Sequence, residues 1–242
     1  MNRLLALAAF GMACGAAAQS GAQETAGGAD APVVVELFTS QGCSACPPAD
    51  EMMAELVQRD DVIGLSLHVD YWNYLGWADT FSQAAFTDRQ YGYGRAAGST
   101  VVYTPQIIVG GADRVMGARA MQLADLIAAH RAAPDPVRIA VSVDGEPPAY
   151  AIEARWIADG AAPQMIVQLV AYSPHEAVEI ARGENAGRSA DYYNVVRDWR
   201  VVAEWDGRRP FAAEVTAGSD MPHVVIVQQA GHGAILGAAR LE

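Results

Sequence analysis

Hydrophobic residues fall into two textures along the chain, and the change comes near Pro134 and Pro136. Before that point, uninterrupted apolar runs alternate with stretches whose apolar residues recur at helical spacing. Val33-Val34-Val35-Glu36-Leu37-Phe38 reads as a buried strand. Ala49 to about Gln58 reads as a helix with Met52, Met53, Leu56 and Val57 on its covered side. Val62 to Val69 is a second continuous run, which suits a strand buried on both faces of a partly parallel sheet. Phe81 to Gly98 predicts an irregular helix, weakened by Gly92 and Gly94. Ile107–Val109, a Gly110-Gly111 turn and Arg114–Met116 predict a hairpin, followed by a helix from Ala118 to about Arg131. After Pro136 the runs shorten. They recur from Val137–Val143 to Ala234–Ala238, with turns at Asp144-Gly145, Asp159-Gly160 and Asp206-Gly207. This spacing predicts an antiparallel β-sandwich of roughly seven or eight strands. The chain is therefore expected to hold an α/β domain over 31–134 and a β-rich domain over 135–242.

The N-terminus has a different character. Arg3, the apolar Leu4–Phe10 and the small residues Ala16-Ala17-Ala18 have the form of a secretory signal over residues 1–18. Its apolar part is too short to anchor in a bilayer, and nothing later predicts a membrane span. Residues 19–30 are small and polar, as in a flexible lead-in. A periplasmic or secreted location follows as an expectation. The formal charge of −12 argues against nucleic acid as a partner, since that surface wants basic patches.

Cysteine usage narrows the chemistry. Of the 3 cysteines, Cys14 leaves with the signal, and the other two form Cys43-Ser44-Ala45-Cys46. A bridge closing so small a loop constrains the unfolded chain little, so structural stapling is a weak reason for it. The pair stands between a strand and a helix whose start is set by Pro47-Pro48, which lack N–H groups that would be unpaired there anyway. A helix N-terminus stabilises a thiolate, the reactive form. Cys43 is thus the candidate nucleophile and Cys46 the resolving thiol. Glu36 is either a buried carboxylate able to exchange a proton with Cys46 or a strand-end group facing water. His68 ends the second strand with the same parity as Asp70, so it either tunes the thiolate or closes the strand end as a hydrogen-bonded ring. The aromatic run from Tyr71 to Trp77 follows it. Thr104-Pro105 heads the next strand. Should that bond be cis, the Thr104 backbone can lie beside the dithiol and pair with an extended substrate.

Taken together, β–(Cys-x-x-Cys)–α–β–α–(Thr-Pro)–β–β–α resembles the thioredoxin fold. More narrowly, Glu36 to Asp50, His68-Val69-Asp70-Tyr71-Trp72 and Tyr103-Thr104-Pro105-Gln106 resemble a family of secreted bacterial proteins known as domain of unknown function 1223. The resemblance implies a thioredoxin-like α/β domain followed by a mostly antiparallel β-sandwich-like domain, with Glu36 near the buried acid of thioredoxins. The expected function is thiol–disulfide exchange on client proteins or small-molecule disulfides, with a redox partner protein and no cofactor. Ser44-Ala45 carries no charge, so a less oxidising pair is expected than one with histidine between the cysteines. Two alternatives stand beside this: a Cu(I) site using both thiolates and His68, and an interaction protein with an idle dithiol. No metal-ligand spacing joins His175, His223 and His232. The polar cluster Arg182–Arg188 is either a loop touching the dithiol domain or a client, or an exposed hairpin with local charge pairing.

Overall fold

The computed structural model describes residues 23–25, 31–144 and 149–241. The expected signal, residues 1–18, lies outside them. So does most of the expected lead-in, but Gln23–Thr25 form a short strand, β1, paired with the later strand β6. The other strands are β2 (Val33–Thr39), β3 (Val62–His68), β4 (Gln106–Val109), β5 (Asp113–Met116), β6 (Val137–Asp144), β7 (Ala149–Trp156), β8 (Met165–Ile180), β9 (Arg188–Trp205), β10 (Phe211–Thr216), β11 (His223–Gln229) and β12 (Ile235–Leu241). The helices are α1 (Pro47–Leu56), α2 (Ala84–Ala96) and α3 (Ala120–Ala132). Among the described residues no helix is long and apolar enough to cross a membrane.

Eight strands form one mixed sheet in the order β12-β11-β8-β9-β3-β2-β4-β5. This overturns the expected arrangement of a thioredoxin-like α/β domain followed by a separate β-sandwich. Strands from both halves of the chain share the sheet, and among the described residues strand outweighs helix, 44% to 19%. The join is a parallel bridge between Ser66 and Val195. Around it the Ser66 hydroxyl donates to the Tyr193 carbonyl (2.8 Å) and the Asn194 amide to the Gly64 carbonyl (2.8 Å). One apolar cluster crosses the join, packing Phe38, Leu65 and Phe86 against Val170, Val196 and Ile226. A core common to both halves is the physical reason they do not separate. The second sheet, β1-β6-β7-β10, covers one end of the first, where Ile139, Ile152 and Val215 pack against Val167, Leu169 and Val225.

The long hairpin β8–β9 carries the architecture to the dithiol. Its inner part packs against the second sheet; its outer part, beyond Ser173 and Val195, reaches across to α1. The expected runs Gln164–Tyr172 and Ala177–Ala181 are one strand, β8, with Pro174 between them. The ladder steps from Ser173–Val195 to His175–Tyr193, and Pro174 falls opposite Asn194. Asn194 leaves the regular strand with φ +46°, a conformation asparagine tolerates. A proline with no N–H is accommodated at such an irregularity.

The β4–β5 hairpin forms as expected, and its turn also meets the other half. Gly111 has φ +71°, and a Cβ there would lie 2.7 Å from the Gly233 carbonyl. The Ile235 amide donates to the Gly110 carbonyl (2.8 Å), so the turn is held against the start of β12.

Candidate functional site

Strand β2 ends at Thr39, and the chain turns through Ser40–Cys46 into α1. Cys46 stands at the N-cap, with Pro at the first helical positions. Cys43 and Cys46 are joined as a disulfide, with Cα atoms 5.4 Å apart. Ser44 and Ala45 are exposed, Cys43 keeps 4% of its surface and Cys46 none. Of the two cysteines, Cys43 is the one that keeps some solvent exposure.

Beneath the loop lies a buried polar group. The parity of β2 sends Val33, Val35 and Leu37 toward α1 and α3, so Thr39 faces that side too. Thr39 and His68 are register partners on the parallel strands β2 and β3. The Thr39 hydroxyl donates to Asp50 Oδ1 (2.7 Å). Asp50 follows Cys46 by four residues, so their side chains share one face of α1. Burial pushes the Asp50 carboxyl up to about 7; the Thr39 hydroxyl and His68 offset this in part, and Asp79 adds to it. His68 Nδ1 lies 2.7 Å from Asp79 Oδ2, with both side chains fully buried. Burial opposes ionisation of Asp79, but His68 and the amides of Gln41 and Phe81 outweigh it and hold the carboxyl below the usual range. Asp79 is acceptor-only as a carboxylate, so His68 Nδ1–H is the donor to it. The ring packs edge-on against Phe81 and Tyr192, and His68 Nε2 is buried with no hydrogen-bond partner among the described residues.

Above the loop, three segments converge. Trp77 Nε1 donates to Gln41 Oε1 (2.7 Å), and Trp72 Nε1 to Thr104 Oγ1 (2.7 Å). A Cβ on Gly42 would lie 3.3 Å from Trp72 Cβ, so Trp72 bridges the dithiol loop and the Thr104-Pro105 loop. The Thr104-Pro105 bond is cis. It directly precedes Gln106, which pairs with Phe38 at the end of β2, and this pairing places it beside the dithiol turn. The third segment comes from the tip of the β8–β9 hairpin. Asn185 is buried, and its Nδ2 donates to the carbonyls of Gln41 and Cys43, each at 2.9 Å. Of the two readings of Arg182–Arg188, contact with the dithiol loop is the one observed. Asn185→Ala removes the donor to the Gln41 carbonyl and leaves the Cys43 carbonyl with the Cys46 amide alone, a loss of roughly 1–3 kcal/mol. The expected results are a lower urea midpoint and faster reduction of the Cys43–Cys46 bond by dithiothreitol; an unchanged reduction rate would deny the loop any hold on the dithiol.

Two expected residues lie elsewhere. Glu36 is fully buried but faces α2, as do Val34 and Phe38. Arg89 clasps it through Nε (2.7 Å) and Nη2 (3.0 Å), and the Tyr93 hydroxyl donates to it as well. Neither reading of Glu36 as a partner of Cys46 or as a solvent-facing group describes it. Asp70 parts from His68 because the chain turns after Val69; its carboxylate accepts from Thr87 on α2 (2.6 Å).

Sequence reasoning missed the roles of Asp50 and Asp79, whereas Asn185 belongs to the polar cluster it had marked. For Asp50 a signal existed in its i+4 spacing from Cys46; for Asp79, in a loop after the aromatic run, none did. Among the described residues no three His, Cys, Asp or Glu side chains are gathered as a metal ion requires.

Beside the dithiol a cleft of about 400 Å³ opens between α1 and the outer part of β9. Ser40, Pro47 and Asn185 line its dithiol end, and Asp50 and Tyr192 also border it.

This arrangement has relatives. The chain matches the family described as "Protein of unknown function (DUF1223)" over residues 34–228. It belongs to that family. The matched span holds every site residue named above, from Glu36 to Asn185, so the DUF1223 unit takes in the dithiol loop and the hairpin that caps it. The DUF1223 chain is similar to protein AGR_C_4864 from Agrobacterium tumefaciens, known from a crystal structure, with 35% identity and a TM-score of 0.73 over 86% of this chain and 93% of that one. It is also similar in fold to HBP35 of Porphyromonas gingivalis, with 16% identity and a TM-score of 0.62 over 87% of this chain and 74% of that one. No curated protein matches it.

Proposed function

We propose that this protein is a periplasmic or secreted thiol–disulfide oxidoreductase acting through Cys43 and Cys46. The observation that carries the reading is a disulfide at the head of α1 with a buried, protonatable carboxyl, Asp50, one turn behind the inner sulfur. The location rests on the signal-like residues 1–18.

In the oxidising direction, a client thiolate attacks Cys43 Sγ. The Cys43–Cys46 bond breaks and its electron pair leaves on Cys46, which takes a proton from Asp50. A second client thiolate then attacks the client sulfur of the mixed disulfide, and Cys43 departs as a thiolate, favoured by the positive end of the helix. Two electrons pass from the client dithiol to the cysteine pair, and a redox partner protein removes them. The same steps in reverse reduce a client disulfide, with Asp50 as the base for Cys46. Thr39 holds Asp50 in place, and the His68–Asp79 pair sets the charge around it.

The test is a Cys46→Ala variant of the full chain incubated with periplasmic extract. Disulfide-linked adducts on Cys43 that dissolve in reductant are expected, with none from Cys43→Ser. Equal yields from both variants, or no adducts from either, would sink the proposal.

A further inference from the structure

We infer that the cleft between α1 and β9 receives an extended, basic polypeptide segment, which adds as a strand to the free edge of β9. This deepens the redox reading and rests on it for what the segment delivers: a cysteine at the dithiol end.

Arg188, Ser189, Ala190, Asp191, Tyr192 and Tyr193 all line the cleft. A strand that presents a face exposes alternate residues, whereas consecutive residues of both parities mark an edge. Over this stretch β9 pairs with β8 on one side, and among the described residues no strand pairs with the other side. Pairing with β3 comes later, at Val195. Such a run of unpaired backbone groups is a template for another strand. The opposite wall is a single face of α1, where Pro47, Glu51, Ala54 and Glu55 follow one another at helical spacing. The volume of about 400 Å³ lies within the usual range of ligand clefts, roughly 300–1,000 Å³.

Charge selects the occupant. Glu51, Glu55 and Asp191 are exposed carboxylates on the two walls, and Arg188 is the cation among the lining residues. Asp191 shares its charge with His175 Nε2 at 2.7 Å; for Glu51 and Glu55 the described residues show no ion pair. A lysine- or arginine-bearing segment complements these walls and an acidic one is repelled. At one end the segment meets Pro47, next to Cys46, and Asn185, which holds the Cys43 carbonyl. A small-molecule disulfide would use neither the β9 edge nor the length of the groove.

Binding is measured by fluorescence anisotropy on the full chain with Cys43 and Cys46 both replaced by serine, so that no covalent bond contributes. Three short synthetic peptides serve as probes: a lysine-bearing sequence, the same sequence N-methylated at alternate amides, and one with glutamate for lysine. The lysine peptide is expected to bind at least about 10-fold more tightly than either control, and to lose about 10-fold with Glu51→Lys or Glu55→Lys. Both glutamates are exposed, so these substitutions leave folding intact. Binding indifferent to N-methylation or to charge, or no binding at all, overturns the inference. Cys46→Ala trapping is read in parallel: adducts without peptide binding remove the cleft reading alone, and peptide binding without adducts removes the redox reading alone.

Discussion

Arg89→Met is expected to lower stability by about 3–5 kcal/mol, the cost of leaving a buried charge without its partner. Glu36 is fully buried and reaches no solvent to compensate. After the substitution the Tyr93 hydroxyl is left as its donor, and the Arg89 contacts to Gln168 and Gln228 vanish as well. Those two glutamines stand on β8 and β11, and the Arg89 guanidinium also stacks on Trp199 of β9, 3.7 Å from its ring centre. One cation thus fastens α2 to strands from both halves of the chain. With a urea dependence of roughly 1–3 kcal/mol per molar, the midpoint should fall by more than about 1 M. Glu36→Met with Arg89→Met should recover much of the loss, because replacing a whole buried pair by apolar groups is often neutral. Exchange at the dithiol, measured on folded protein, should stay at the wild-type rate, since the pair faces α2 rather than α1. A midpoint shift corresponding to less than about 1 kcal/mol would show that the network does not hold the halves together. Slowed exchange in the double variant would return Glu36 to the reaction.

The same pair shows why the site was only partly legible. The dithiol turn and the start of α1 follow from residues adjacent in sequence: an apolar run, Cys43 and Cys46, then two prolines. Interactions that set the chemistry are not local. Strands β2 and β3 are buried on both faces, so their apolar runs do not alternate and carry no mark of which side a polar residue takes. Glu36 and Thr39 differ in parity, and that difference sends one to Arg89 and the other to Asp50. By position alone Asp50 is a first-turn acid, a residue favoured there by the helix dipole. Only the Thr39 side of the sheet makes it a buried acid. The shared sheet was hidden for a related reason. Pro174 interrupts the apolar pattern and Arg182–Arg188 is polar, so neither marks a strand locally, whereas pairing in β8–β9 carries Asn185 to Cys43.

Asp50→Asn should slow reduction of the Cys43–Cys46 bond by a client thiol about 100-fold near pH 6, the scale of a lost general acid. In the wild type the Asp50 carboxyl, at about 7, still holds its proton there and can pass it to the departing Cys46 sulfur. As pH rises through about 7 the wild type loses that proton, so the ratio of wild-type to variant rate falls toward one. Using the ratio removes the separate effect of pH on the attacking thiolate, which is common to both proteins. Stability gives a second readout with a definite sign. The folded protein holds the Asp50 proton up to about 7, against 3.8 for an unperturbed aspartate. Between these values the folded state binds more protons than the unfolded one, so this group's contribution falls as pH rises. Below the lower value both states are protonated and it contributes no slope; above the upper one both are ionised and the burden is complete. At about 1.4 kcal/mol per pH unit the full interval is on the order of 4 kcal/mol. The stability of Asp50→Asn relative to wild type should therefore climb from about pH 4 to about pH 7 and then level. A purely structural Asp50 would reproduce the stability curve yet leave the rate ratio flat with pH, and that flat ratio is the result that would take Asp50 out of the mechanism.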